Sequence, residues 1–237
     1  MTGGGKLPTD RPGNADVDAF LAKVADTPVN KAHGGRGRLL FAMDATASRR
    51  PTWDISAKIQ GEMYLEAAAL GGLEMQLAFF RGFGEFKVSP WLDNPKEFMR
   101  LMTSVDCLAG ETRIAKVLQH AVNESGRKKI NALVYIGDCL EEDVDRLGAL
   151  AGELGLLGVP AFMFHEGSDP VAAFGFRQIA RLSGGACCGF DAGSAHMLRD
   201  LLSAVAVYAA GGRPALEAIA EKRGGALLKL SHQMKGS

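Results

Sequence analysis

Apolar and polar positions along this chain follow two rhythms. Several short segments are almost wholly apolar: Leu39–Met43, Met75–Phe80, Ala132–Ile136 and Val159–Phe164. Runs this short read as strands buried on both faces, as in a parallel sheet. Between them, apolar residues recur at helical spacing. Val17, Phe20, Leu21 and Val24 form one such set, and Ile55, Ile59, Met63 and Ala67 another. The second set predicts a helix from about Asp54 to Leu70, with Asp54 as its N-cap and Gly71-Gly72 as its stop. Further helices are expected over Pro95–Met102, Ile114–Asn123, Glu142–Leu157, Pro170–Leu182 and Ser194–Ala209. A last strand is expected at Ala186–Phe190. Gly82-Phe83-Gly84 separates Glu74–Arg81 from Glu85–Val88, the signature of an antiparallel hairpin at a sheet edge.

Alternating strand and helix signals predict an α/β fold. The expected architecture is doubly wound (Rossmann-like): a mostly parallel six-stranded sheet with one antiparallel edge strand and helices on both faces. Three segments follow: residues 1–37 as a flexible N-terminal extension with a short amphipathic helix, 38–212 as the main domain, and 213–237 as a C-terminal tail. The N-terminal helix either packs back onto the domain or docks on a partner. Gly211-Gly212 ends the last long helix. Leu216–Ala220 and Ala226–Leu230 are equally readable as more helix or as a short β tail.

Composition narrows the partners. The 237 residues carry 27 Lys+Arg and 27 Asp+Glu, a formal net charge of zero, so no long-range field draws the chain to nucleic acid or an anionic membrane. No apolar run reaches the roughly 18 residues of a membrane span. The polar, Gly/Pro-rich N-terminus lacks the apolar core of a signal peptide, which predicts a cytoplasmic protein with reduced cysteines. Cys187 and Cys188 are adjacent, so a strand would point them to opposite faces.

The candidate chemistry lies where the first strand ends, at Asp44-Ala45-Thr46-Ala47-Ser48. In an extended chain, residues two apart point the same way, so Asp44, Thr46 and Ser48 can converge just beyond the strand's C-terminal end. Open α/β sheets hold their ligands there. A second apolar strand ends in Asp138, and Thr112 follows Gly110-Glu111 at the start of a helix. Carboxylates and hydroxyls are hard oxygen donors, suited to Mg²⁺ rather than to a soft metal.

These three elements, in this order, resemble the von Willebrand factor A (VWA) domain family and its metal-ion-dependent adhesion site (MIDAS). The resemblance covers roughly Arg38 to Ala210. It implies a divalent cation (Mg²⁺, or Mn²⁺ or Ca²⁺) held by Asp44, Thr46, Ser48, Thr112 and Asp138, some of them through water. It also implies one open coordination position, filled by an acidic residue of a partner protein. Such a chain would be a cytoplasmic adaptor or assembly factor without catalysis of its own; related domains lacking a membrane anchor often work with ATPases or chaperone-like machines. Three positions depart from the family pattern: Thr46 replaces a serine, and Glu111 and Cys139 stand where glycine is common. Arg49, Arg50, Glu111 and Arg113 flank the loops and are the candidate partner-binding rim, although solvated surface charge explains the arginines as well. Glu141, Glu142 and Asp143 read as the acidic first turn of the helix that follows. Trp53, Phe83 and Trp91 are candidate interface anchors, with core packing as the default.

One enzyme class competes. A strand-end Asp44 followed by Thr46, with Gly137-Asp138 later, also fits a Mg²⁺-dependent phosphatase or phosphotransferase of the haloacid dehalogenase type, with Asp44 as nucleophile. Thr46 then stands where that class has its general acid. The strand ending at Arg81 lacks the expected Ser or Thr, and Lys128 and Lys129 precede their strand instead of following one. The five histidines, His33, His120, His165, His196 and His232, show no ligand or dyad spacing.

Overall fold

The parallel core follows from strands that are apolar on both faces. In the computed structural model, which describes residues 14–27, 36–50, 52–56, 59, 72–191 and 195–223, β1 spans Gly37–Asp44 and is buried throughout. Leu39, Phe41 and Met43 face one core, and Leu40 and Ala42 the other. The remaining strands are β2 (Leu73–Arg81), β3 (Glu85–Val88), β4 (Ala132–Gly137), β5 (Ala161–Glu166) and β6 (Cys187–Phe190). The sheet order is β3-β2-β1-β4-β5-β6. Every pairing is parallel except β2 with β3, which close an antiparallel hairpin through the turn at residues 82–84. This is the six-stranded, mostly parallel sheet with one antiparallel edge that the patterning predicts.

The helices are α1 (Asn14–Asp26), α2 (Pro95–Thr103), α3 (Ile114–Arg127), α4 (Val144–Leu156), α5 (Pro170–Ser183) and α6 (Ala195–Arg223). One core packs α1, α2 and α6 against the sheet; the other packs α3, α4 and α5. Tyr135 anchors the second core, stacked on Phe80 and edge-on to Phe176. Local rules set the helix ends. Asn94, Asp143 and Asp169 cap α2, α4 and α5 by accepting backbone N–H bonds, and Pro95 and Pro170 occupy the first turns.

The N-terminal helix packs back onto the domain. Phe20, Leu21 and Val24 are buried in the first core, and Phe20 lies against Phe162 and Phe164 of β5. Residues 1–13 and 28–35, most of the expected 54–70 helix, and the segment 226–230 lie outside the described residues. Asp54 sits inside a helical stretch at residues 52–56 instead of capping it, because the chain already turns into a 3₁₀ segment at Ala47–Arg49. Gly212 does end the long helix. It has φ +73, a left-handed conformation that glycine adopts without strain, and the helix resumes beyond it to Arg223.

Candidate functional site

β1 and β4 are neighbours in the sheet and run parallel, so their C-terminal ends emerge side by side. This brings Asp44 and Asp138 to one crevice of about 270 Å³, lined also by Thr46, Ala47, Ser48, Ala109, Gly110, Thr112, Cys139 and Glu141. All five sequence-predicted metal ligands therefore border a single depression. Neighbouring bonds shape it. The Asp44 Oδ1 accepts the Thr46 backbone N–H at 2.7 Å, which folds the loop back over the strand end. Ser48 Oγ donates to Asp138 Oδ2 at 2.8 Å, joining the two strand ends, and lies 3.4 Å from Thr46 Oγ1.

The third contributor arrives on the loop between α2 and α3. Leu108 N–H bonds the Ala45 carbonyl at 3.0 Å, and Arg81 Nη1 bonds the Asp106 carbonyl at 2.6 Å, tying this loop to the β1 and β2 ends. Gly110 is required there by space. A Cβ at this position would lie 2.1 Å from the Gly82 carbonyl oxygen, so the hairpin turn presses directly on the loop. Thr112 is 3% exposed. It is bound reciprocally to Glu141: its N–H reaches Glu141 Oε2 at 2.9 Å, and its hydroxyl accepts the Glu141 N–H at 3.2 Å.

Two observations bear on whether a cation fits. Asp44 Oδ2 and Asp138 Oδ1 are both buried and have no hydrogen-bond partner among the described residues. A buried carboxylate oxygen without a partner is costly, and a cation would satisfy both. Asp44 accordingly holds its proton more tightly. Burial is the main cause, opposed by the Thr46 bond and reinforced by Asp138, and its pKa rises to about 6. No group of three or more His, Cys, Asp or Glu among the described residues converges on a metal position. A cation here would therefore rest on two carboxylates, the hydroxyls and water, a donor set that suits Mg²⁺.

The predicted rim splits in two. Arg50 and Glu111 are exposed and Arg113 is partly exposed, pairing with Asp106 at 3.2 Å (Arg50) and with each other at 3.1 Å (Glu111 and Arg113). Arg49 is not on the rim. Its side chain is 1% exposed and turns inward to pair with Glu166 at the end of β5. The aromatic candidates divide as well. Trp53 is core, bonding the Met102 carbonyl at 2.8 Å. Trp91 stacks under Arg38 with the guanidinium 3.7 Å from the ring centroid. Phe83 stands 93% exposed at the hairpin turn beside Gly110, with the half-exposed Leu108 in the neighbouring loop.

The acidic run after Asp138 has a different task from the one its spacing suggests. The helix starts at Val144, with Asp143 as cap, so Glu141 and Glu142 precede it. Glu142 instead accepts the N–H groups of Ile114 and Ala115 (the latter at 3.1 Å) at the start of α3. A signal for this was present. Arg113 precedes α3 and makes no side-chain cap, so the orphan amides of that helix needed an acceptor from elsewhere. For Glu166, which proves to hold Arg49, the sequence carries no comparable signal.

No protein-family model matches the sequence, and no curated protein is similar to it. Solved structures are similar in fold. The SpRpn10 VWA domain is 15% identical, with a TM-score of 0.55 over 71% of this chain and 94% of that one. The PilB minor pilin of Streptococcus sanguinis (a D319A mutant) is 10% identical, with a TM-score of 0.57 over 75% and 62%. Proximal thread matrix protein 1 of the mussel byssus, with a zinc-occupied MIDAS motif, is 11% identical, with a TM-score of 0.54 over 73% and 46%. This protein thus has the VWA-type α/β fold. No helix among the described residues is long and apolar enough to cross a membrane.

Proposed function

We propose that this protein is a metal-dependent protein-binding module, an adaptor or assembly factor rather than an enzyme. The observation that carries the reading is the pair of buried, partnerless carboxylate oxygens, Asp44 Oδ2 and Asp138 Oδ1, at adjacent strand ends. Asp44, Thr46, Ser48, Thr112 and Asp138 would hold Mg²⁺, Mn²⁺ or Ca²⁺. When bound, such a cation supplies a Lewis-acidic position for a partner's carboxylate. The chain's own residues do the rest. Ser48 fixes Asp138, Thr46 fixes Asp44, and the crevice opens between loops whose rim carries Arg50, Glu111, Arg113 and the exposed Phe83. Two carboxylates balance a divalent charge and leave the site receptive to one more anion. An apolar residue beside that acidic side chain would pack on Phe83, since exposed aromatics are frequent interface anchors. An ATPase or chaperone-like machine is the kind of partner the VWA resemblance suggests.

The test is titration of Mg²⁺ and Mn²⁺ by calorimetry on the wild type and on Asp44→Ala/Asp138→Ala. Saturable binding in the wild type alone supports the site, and capture of a protein lost on adding chelator supports the adaptor role. Mg²⁺-dependent hydrolysis of p-nitrophenyl phosphate, abolished by Asp44→Asn, would instead establish the phosphatase reading.

A further inference from the structure

A buried arginine beside the crevice sets the candidate positioning device apart from the ligands themselves. Arg49 follows Ser48 directly, and its side chain is 1% exposed. One guanidinium nitrogen, Nη1, pairs with Glu166 Oε2, while Nε and Nη2 are buried without a hydrogen-bond partner among the described residues, and the guanidinium charge also faces Asp138 and Asp44. The same Glu166 oxygen accepts the hydroxyl of Thr52, which is also buried. Glu166 thus receives two donors from the segment after β1 while sitting at the C-terminal end of β5, one strand beyond β4. A charged side chain is rarely this buried unless it is paired.

We infer that Arg49, Thr52 and Glu166 form a clasp that presets the Asp44–Ser48 loop for cation binding. Arg49 and Glu166 are positioning residues, not ligands. The inference rests on the metal-binding reading above. The clasp acts through the backbone. The 3₁₀ segment at Ala47–Arg49 is closed by the Arg49 N–H to the Thr46 carbonyl at 3.0 Å. Anchoring the Arg49 side chain under β5 holds that segment where Ser48 Oγ meets Asp138. Without the anchor, the loop must be ordered by the cation itself, and the ordering cost appears as lost affinity.

Charge makes the variants distinguishable. Arg49→Met removes the anchor but also removes the positive charge that faces Asp138 and Asp44, which favours a cation there and masks part of the loss. Glu166→Gln removes the anchor and leaves the guanidinium facing Asp138 and Asp44, where it competes with a cation for the same carboxylates. The double variant Arg49→Met/Glu166→Met removes one charge of each sign, so the anchor is lost without a change in net charge, and amide exchange without metal reads the positioning effect by itself. A buried ion pair replaced by apolar side chains often leaves stability unchanged or raised.

The experiment is Mg²⁺ calorimetry on the full chain, with hydrogen exchange of the amides at positions 46 and 49 measured without metal. Disturbed outer support of a metal site costs about 10- to 100-fold in affinity. The expected order of affinity is wild type, then Arg49→Met, then the double variant at about 10-fold weaker, with Glu166→Gln weakest. Exchange at positions 46 and 49 should speed up in the double variant, while that in β5 does not. A double variant with wild-type melting temperature, wild-type Mg²⁺ affinity and unchanged exchange would overturn the clasp. Should the pair variants not fold, Thr52→Val removes one donor to the same oxygen and is read by the same exchange, faster if the clasp holds and unchanged if it does not. Absence of Mg²⁺ binding in the wild type would refute the metal reading, and the exchange result would then decide the loop anchor alone.

Discussion

Replacing Asp44 by Asn should make the metal-free protein more stable while removing the proposed metal site. The charge on Asp44 is costly because burial raises its pKa from 3.8 to about 6. One unit corresponds to about 1.36 kcal/mol, so the ionised side chain costs the metal-free fold about 3 kcal/mol near neutral pH. The sign follows from proton binding. Between those two values the native state keeps a proton that the unfolded chain has released. Stability is therefore greatest below the unfolded value and is lost as pH rises through the folded one. Asparagine is isosteric with the protonated acid, and its carbonyl can still accept the Thr46 N–H. Asp44→Asn should stabilise the metal-free protein by about 1–3 kcal/mol at pH 7.5, or about 3–10 °C in melting temperature for a domain of this size. By pH 4.5 roughly a third of that gain should remain, because the wild type is then largely protonated in its native state. Mg²⁺ at about 100 times its dissociation constant should return about 2.7 kcal/mol to the wild type and nothing to the variant. The assay is thermal and urea unfolding with and without chelator at both pH values. A variant less stable than wild type without metal at pH 7.5, or a gain independent of pH, would refute the reasoning.

Two further substitutions test the frame around the site. Phe20→Ala should cost about 3–5 kcal/mol in chemical unfolding, because the ring is buried between α1 and the two β5 phenylalanines; a cost near zero would show α1 to be a detachable extension. Tyr135→Phe should leave stability unchanged or raise it by about 1 kcal/mol, since the hydroxyl is buried without a partner among the described residues, and a clear loss would show that the hydroxyl is bonded in solution.

Much of this fold was legible because its strands are apolar on both faces, and that pattern has few alternatives. The edge hairpin was equally plain, because Gly82 and Gly84 both take positive φ values that the turn demands. The convergence of the candidate residues was legible for a geometric reason: a period of two along an extended chain places Asp44, Thr46 and Ser48 together, and the strand order brings Asp138 beside them. What surrounds those residues was not legible. Arg49 reads as a surface charge until the position of Glu166, 117 residues later, is known. Glu142 reads as a helix's first turn until α3 is seen to start without a cap of its own. Long-range polar pairs leave no periodic trace, since each depends on how two distant strand ends meet. The 54–70 helix lies mostly outside the described residues, so its pattern stands as an expectation.

The strand order explains why the conflict between stability and binding falls at this point. At β1 and β4 the connections diverge to opposite sides of the sheet, leaving a crevice that no α-helix among the described residues lines. A carboxylate there lies at the end of the sheet's apolar layer, and Asp44 is fully buried in it. Asp44 has one oxygen satisfied by its own loop and one left over, and Asp138 repeats the arrangement with Ser48. Each satisfied oxygen fixes the orientation of the unsatisfied one, so the two free oxygens are held by the same bonds that shape the loops. Moving either residue one position along its strand would turn its side chain to the opposite face. The site is therefore a consequence of register, and a substitution that repairs the energetic cost of Asp44 must do so by removing the group that a cation would bind.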